Sequence, residues 1–186
     1  NMPRARTHQS ASLVDGKIYI IGGGGFNIDP ITEIDVYDTL TKSWTTAADL
    51  PTPRMNLSAV VLNGKIYAIG GMTGKSEGEL GLKTVEEYDP ATDTWTKKAD
   101  MNVKRKYISG CAFALNDKIY VFGGTEGFLT PSLSSVEVYD PVTDTWTMST
   151  NMPSELCAHS VALLNGKAYI SGGCLKAIPL TYTSTL

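Results

Sequence analysis

Trp44, Trp95 and Trp146 stand 51 residues apart, and each follows a tyrosine by seven: Tyr37, Tyr88 and Tyr139. A period of this length restricts the chain to a serial array of like units, each too small to bury a core alone. Upstream, Tyr19, Tyr67, Tyr120 and Tyr169 each reach a diglycine in three steps, at Gly22-Gly23, Gly70-Gly71, Gly123-Gly124 and Gly172-Gly173. Three units are complete and a fourth stops after its diglycine. Four short strands per unit at such a spacing predict small sheets arranged radially, with function on the faces of the array.

Each unit reads strand by strand from alternation and turn chemistry. The first strand is a run of small and apolar residues that ends at Asp15-Gly16, Asn63-Gly64, Asn116-Asp117 or Asn165-Gly166. These dipeptides tolerate positive φ and match the twist of a two-residue hairpin. The second strand starts at Lys17, Lys65, Lys118 or Lys167 and runs into the diglycine. The third alternates, as in Val85-Glu86-Glu87-Tyr88 and Val136-Glu137-Val138-Tyr139, so neighbouring Val and Glu fall on opposite faces. Asp-Pro turns at Asp89-Pro90 and Asp140-Pro141 lead to the tryptophan strand, whereas the first unit has Asp38-Thr39 and lacks the proline. No segment shows a 3.6-residue period.

The diglycine, the Tyr-Asp-Pro and the tryptophan seven residues after the tyrosine together resemble the kelch repeat, and the resemblance covers nearly the whole chain. It implies an all-β fold, a kelch-type β-propeller arc of four-stranded antiparallel blades around a central channel. The blades are expected at about 4–53, 54–104 and 105–155, with a partial fourth at 156–186. Glycine at the paired positions lets a neighbouring backbone or ring approach closely, and the aromatics fill the wedge between blades.

At this spacing 186 residues make about three and a half blades, fewer than the four or more of a closed ring. The opening segment, Asn1 to Arg6, matches the tail that follows the last strand of later repeats, so the chain starts in mid-array. Three readings stay open: a fragment of a longer propeller, two or more copies completing one ring, or an open arc. Leu180-Thr181-Tyr182-Thr183 is a candidate for a degenerate third strand in the fourth unit.

Charge and motifs remove several function classes. A net charge of −3, from 16 basic and 19 acidic residues without a basic stripe, points away from nucleic acid. No apolar run reaches the roughly 18 residues of a spanning helix and no signal peptide is visible, so the expectation is a soluble chain, cytoplasmic or secreted. Gly74-Lys75-Ser76 resembles the end of a phosphate-binding loop, but Ile69 stands where that motif requires glycine and no helix follows. His8 and His159 have no metal-ligand spacing and are expected near the channel mouth. Kelch-like enzymes use copper with tyrosine and histidine, or acid–base residues in the channel, and neither constellation matches positions here. No cofactor, metal or catalytic residue is expected. Asn56-Leu57-Ser58 is a glycosylation sequon at a strand start.

The Asn165-Gly166 hairpin places Leu164 opposite Lys167 and, counting outward, Cys157 opposite Cys174. The pair is a candidate disulfide, the alternative being two reduced thiols at the base of the hairpin. Cys111 reads as a small core residue.

Because successive strands reverse direction, the loops after the second and fourth strands share one face, and the tight turns share the other. The loops after the second strands, at 24–32, 72–84 and 125–135, vary in length and sequence as recognition loops do. They carry Phe26, Asn27 and Phe128, besides Asp29, Glu77, Glu79 and Glu126. The linkers after the fourth strands add Arg6, His8, Arg54, Asn56, Arg105 and Tyr107. Counting back 13 residues from Tyr19, Tyr67, Tyr120 and Tyr169 makes Arg6, Arg54, Tyr107 and Leu156 equivalent. Arginines there either hold a partner's carboxylate or brace the loop. Kelch adaptors of ubiquitin ligases hold acidic peptides on comparable loops, and the resemblance implies a non-catalytic protein-interaction module, with an acidic peptide as one candidate partner. Two alternatives stand beside it: part of an enzyme or sugar-binding propeller whose pocket needs further blades, and a half-propeller that closes by self-association.

Overall fold

The computed structural model describes residues 1–24, 29–74, 80–127 and 129–175, and the backbone of 181–182. The described residues contain no helix, and so none long and apolar enough to cross a membrane. The first sheet is β1 (Ser10–Val14), β2 (Lys17–Ile21), β3 (Ile34–Asp38) and β4 (Ser43–Ala47); the second is β5 (Ser58–Leu62), β6 (Lys65–Ile69), β7 (Val85–Asp89) and β8 (Thr94–Lys98). The third is β9 (Ala112–Leu115), β10 (Lys118–Phe122), β11 (Val136–Asp140) and β12 (Thr145–Met148), and the fourth is β13 (Cys157–Leu164), β14 (Lys167–Leu175) and β15 (Thr181–Tyr182). Strand order follows chain order in every sheet, with antiparallel pairing throughout. The fourth sheet therefore gains the third strand anticipated at Thr181-Tyr182, against Cys174 and Leu175.

The turns form for the reason the dipeptides suggest. Asp15 and Gly16, Asn63 and Gly64, and Asn165 and Gly166 all have positive φ, from 47° to 75°, at both central positions of their hairpins. Val14 consequently pairs with Lys17, Leu62 with Lys65, and Leu164 with Lys167. At the other end of each unit the Asp38, Asp89 and Asp140 carboxylates accept backbone N–H groups two residues on, at 2.9 Å, closing the last turn with or without proline.

The first strands of successive sheets pack against one another, β1 on β5, β5 on β9 and β9 on β13, and the arc does not close into a ring. The core is divided into three wedges. Tyr19, Ile21, Val36 and Leu50 of the first unit meet Leu57, Ile66, Ala68 and Tyr88 of the second. Tyr67, Ile69, Val85 and Met101 meet Ile108, Ile119, Tyr139 and Trp146. Phe122, Val136 and Met152 meet Leu156, Val161 and Ile170. Each wedge needs both neighbours, because one sheet supplies only half of its lining.

The first glycine of each pair marks where the next unit crosses. A Cβ on Gly70 would lie 2.7 Å from the Arg105 carbonyl oxygen, and one on Gly123 would collide with that of Leu156. Around Gly172 there is nothing within 4 Å. Tyr169 is accordingly 52% exposed, where its equivalents Tyr19 and Tyr67 are 6% and 3%. The leading side of the first sheet is also uncovered, and Leu13 is 61% exposed.

Candidate functional site at the loop face

The linkers and the loops after the second strands pair through their backbones, which fixes them on one face. Thr7 and Gly24 exchange N–H···O bonds of 2.7 and 3.0 Å, Met55 and Met72 of 3.0 and 2.9 Å, and Lys106 and Thr125 of 2.9 and 3.1 Å. One residue further, His8, Asn56, Tyr107 and Ala158 all take left-handed backbone, with φ between 53° and 57°. This kink turns each linker into the first strand of its sheet, at a cost non-glycine residues bear only where packing enforces it. The four kinks are joined edge to edge. Asn56 N–H donates to the His8 carbonyl at 2.9 Å, Ile108 N–H to that of Asn56 at 3.2 Å, and Ala158 N–H to that of Tyr107 at 2.8 Å.

Together with Gln9 and Ser109, these four residues line a cavity of 220 Å³ at the concave centre of the loop face. Its lining mixes polar side chains with the Tyr107 ring and Ala158 and carries no Asp, Glu, Lys or Arg. Gln9 Oε1 and Ser109 Oγ are screened from solvent and have no hydrogen-bond partner among the described residues. His8 Nδ1 lies 2.8 Å from Thr7 Oγ1, and the Lys106 ammonium stands 5.4 Å from the centre of the Tyr107 ring.

Beneath this face lies a second layer, made of arginine. Arg54 donates to the carbonyls of Gly70 (3.1 Å) and Thr84 (2.9 Å) and pairs with Glu86. Arg6 repeats the pattern on Gly22, Glu33 and Asp35, and Arg4 also reaches Asp35. Arg105 donates to Gly123 and Ser135 carbonyls at 2.6 and 3.0 Å and, through Nε and Nη2, to Glu137 at 3.1 and 3.0 Å. All three side chains and their carboxylate partners are buried. Burial lowers the pKa of each guanidinium and the adjacent carboxylate opposes the shift, so the charge is retained as an internal ion pair.

Residues 1–173 match the family model described as the KLHDC2/KLHL20/DRC7 Kelch-repeats domain. The chain belongs to the kelch-repeat family. It is 31% identical over 181 residues to alpha-scruin of Limulus polyphemus, covering 93% of this chain and 19% of that protein. It is 29% identical over 179 residues to Kelch-like protein 25 of Xenopus tropicalis, covering 93% of this chain and 30% of the relative. The chain thus spans less than a third of either. The solved structure titled "Structure of YjhT" superposes with a TM-score of 0.77 at 19% identity, covering all of this chain and 66% of that one, a likeness of fold.

The kelch geometry corrects several sequence expectations. Arg105, and not Tyr107, is the equivalent of Arg6 and Arg54; Tyr107 matches His8 and Asn56. The miscount arises because Ser109 and Gly110 lie in an insertion before β9, where Gly110 has φ 78° and its carbonyl accepts Val161 N–H at 2.9 Å. The guanidinium groups of Arg6, Arg54 and Arg105 are engaged with Asp35, Glu86 and Glu137, so they are not presented to a ligand on the loop face. His8 lines the mouth, but His159 is buried between the third and fourth sheets, with neither ring nitrogen partnered among the described residues. Cys111 stands just before β9 and is buried, and desolvation pushes its thiol up to about 12. The sequon Asn56 is buried against Met72, with Nδ2 3.8 Å from the sulfur. Phe26, Asn27, Phe128, Glu77 and Glu79 lie outside the described residues, as do Lys75 and Ser76. A larger cavity, of 430 Å³, opens among the tight turns on the opposite face, lined by Asp15, Lys17, Asn63, Lys65 and Asp89. Within it Lys65 pairs with Glu87 at 2.9 Å and Asp89 at 3.4 Å.

Proposed function

We propose that this chain is a non-catalytic protein-interaction module whose partner engages the loop face at the mouth ringed by His8, Asn56, Tyr107 and Ala158. The supporting observation is the cavity those residues line together with Gln9 and Ser109, beside the Tyr107 ring. A protein segment carrying an amide or hydroxyl side chain next to an apolar one fits this lining. The acidic-peptide form of the reading is not favoured, because its three arginines are consumed by internal carboxylates.

The test is selection of a random peptide library displayed on phage against the chain, followed by affinity measurement on variants. Tyr107→Ala and Gln9→Ala are expected to weaken selected peptides by about tenfold or more, consistent with losing a central contact. Lys17→Ala, on the tight-turn face, is expected to leave them unchanged. Peptides indifferent to Tyr107 and Gln9 but lost with Lys17→Ala would overturn the proposal.

A second reading, assembly of copies into one array, is favoured by the matching aromatic and glycine positions of the first and fourth units. Tyr169 and Gly172 on the trailing flank are equivalents of Tyr67 and Gly70, while Tyr37 and Trp44 on the leading flank are equivalents of Tyr139 and Trp146. In the second wedge those residues meet, with the Tyr67 and Tyr139 ring centres 5.9 Å apart. Sedimentation equilibrium tests it: a monomer at all concentrations, with no change in mass for Tyr169→Asp, would reject this reading.

A further inference from the structure

Cys157 is the first residue of β13 and Cys174 the eighth of β14, and the pairing register sets them directly opposite. Their sulfurs lie 3.0 Å apart. Closure to a bond of about 2.05 Å therefore requires a shift of about 1 Å, within reach of two side-chain rotations on a fixed backbone. Cys157 is buried and Cys174 is half-buried, so one sulfur is screened by protein while the other can be approached by a small reagent.

The surroundings make these two positions structural corners of the fourth sheet. Leu156, next to Cys157, bridges to Leu133, and its carbonyl accepts Gly124 N–H at 2.9 Å, which anchors the linker to the third unit. The Cys174 carbonyl accepts Ser132 Oγ at 3.3 Å, and Cys174 pairs with Tyr182 of β15. A covalent link here would tie the beginning of β13 to the end of β14 at the point where both meet the third sheet and the short β15.

We infer that Cys157 and Cys174 form a redox-sensitive pair that closes to a disulfide on exposure to low-molecular-weight disulfides of the glutathione type. Cys174, as thiolate, attacks one sulfur of the external disulfide; that S–S bond breaks, one thiol leaves and takes up a proton, and a mixed disulfide remains on Cys174. Cys157 then loses its proton and displaces the second external thiol from Cys174, forming the intramolecular bond. Two protein thiols are oxidised and one external disulfide is reduced to two thiols, which balances electrons and protons. Cys111 serves as an internal control: it is fully buried and donates Sγ–H to the His159 carbonyl at 3.0 Å.

The experiment equilibrates the chain with oxidised and reduced glutathione at graded ratios, quenches with an alkylating reagent, and maps adducts by mass spectrometry of peptides. Native circular dichroism is recorded at each ratio. The expected result is a species about 2 Da lighter, with a Cys157–Cys174 linked peptide and Cys111 unlinked. Amide exchange across 157–175 should slow about tenfold or more in that species, because the hairpin can no longer open from its base. Cys157→Ser should stop at the mixed disulfide, with one glutathione on Cys174. Even if Cys157→Ser failed to fold, the wild-type titration would decide the matter. Cys157 and Cys174 both fully alkylated at the most oxidising ratio while the fold stays native, or a link that involves Cys111, would overturn the inference.

Discussion

Trp95 donates its indole N–H to the carbonyl of Ala48, 2.9 Å away in the preceding unit, and Trp146 does the same to Ala99 at 2.9 Å. Each contact is completed by an aspartate two residues earlier. Asp93 accepts Ala48 N–H and Tyr88 O–H, both at 2.7 Å, and Asp144 accepts Ala99 N–H at 2.9 Å and Tyr139 O–H at 2.7 Å. Units are thus joined at their outer strands by side chains reaching across the wedge, while inner strands are joined by packing. In the first unit Lys42 stands at the aspartate position, so its leading edge lacks this carboxylate clamp.

Trp95→Phe keeps an aromatic ring beside Tyr88, whose ring centre is 5.1 Å from that of Trp95, but removes the N–H and trims the bicyclic indole to one ring. The expected loss is at least about 1 kcal/mol, the ordinary net worth of one hydrogen bond, with the lost ring contacts added to it. Urea unfolding of wild type and variant checks it. A double-mutant cycle with Asp93→Asn should reveal coupling, because both side chains hold the same Ala48 peptide groups.

Arg105→Ala should be far more damaging, because it strands Glu137 without its cation in a fully buried site. Removing one partner of such a pair costs about 3–5 kcal/mol. Replacing both, as Arg105→Met with Glu137→Leu, should recover a large part of that loss. Denaturant midpoints of the three variants decide; a double variant as unstable as the single would mean that the carbonyl contacts to Gly123 and Ser135 carry the stabilisation instead.

Gly123→Ala and Gly172→Ala alter equivalent positions with unequal surroundings. Both residues have positive φ, 55° and 69°, so each substitution carries the left-handed penalty of about 1–2 kcal/mol. Only at Gly123 does the new Cβ also meet Met152 Cε at 2.8 Å and His159 Cε1 at 2.9 Å. Gly123→Ala should therefore lose at least about 2 kcal/mol more than Gly172→Ala, as overpacking does. Thermal melts of the two variants supply the comparison.

His159 gives the fold a predictable acid sensitivity. Burial lowers its pKa from 6.5 to about 4, so the folded state resists a proton that the unfolded chain accepts. Because the unfolded state binds more protons below its pKa of about 6.5, stability falls as pH drops through 6.5 toward 4 and is unaffected above that window. Between pH 7.5 and pH 5 the expected loss is about 2 kcal/mol. Urea midpoints at the two pH values should show it for wild type and not for His159→Leu.

Much of the architecture was legible because its determinants are local. Hairpin dipeptides, alternation and the 51-residue period depend on residues within one unit, and the sheets follow them strand for strand. The candidate site was legible only in part. Asp35, Glu86 and Glu137 are themselves 51 residues apart, a signal that pairs them with Arg6, Arg54 and Arg105, yet alternation alone leaves them reading as a solvent-facing row. Equivalence of His8, Asn56, Tyr107 and Ala158 was hidden by the insertion at Ser109 and Gly110, since counting assumes units of equal length.

The sequence by itself determined that this chain builds repeated four-stranded sheets of the kelch type, because turn and strand preferences act over a few residues and repeat three times. Only the tertiary structure decided which polar groups are exposed. The arginines find their carboxylates about 30 residues away, and a wedge is buried or open according to whether a neighbouring unit covers it, neither of which is written in the order of residues within a unit.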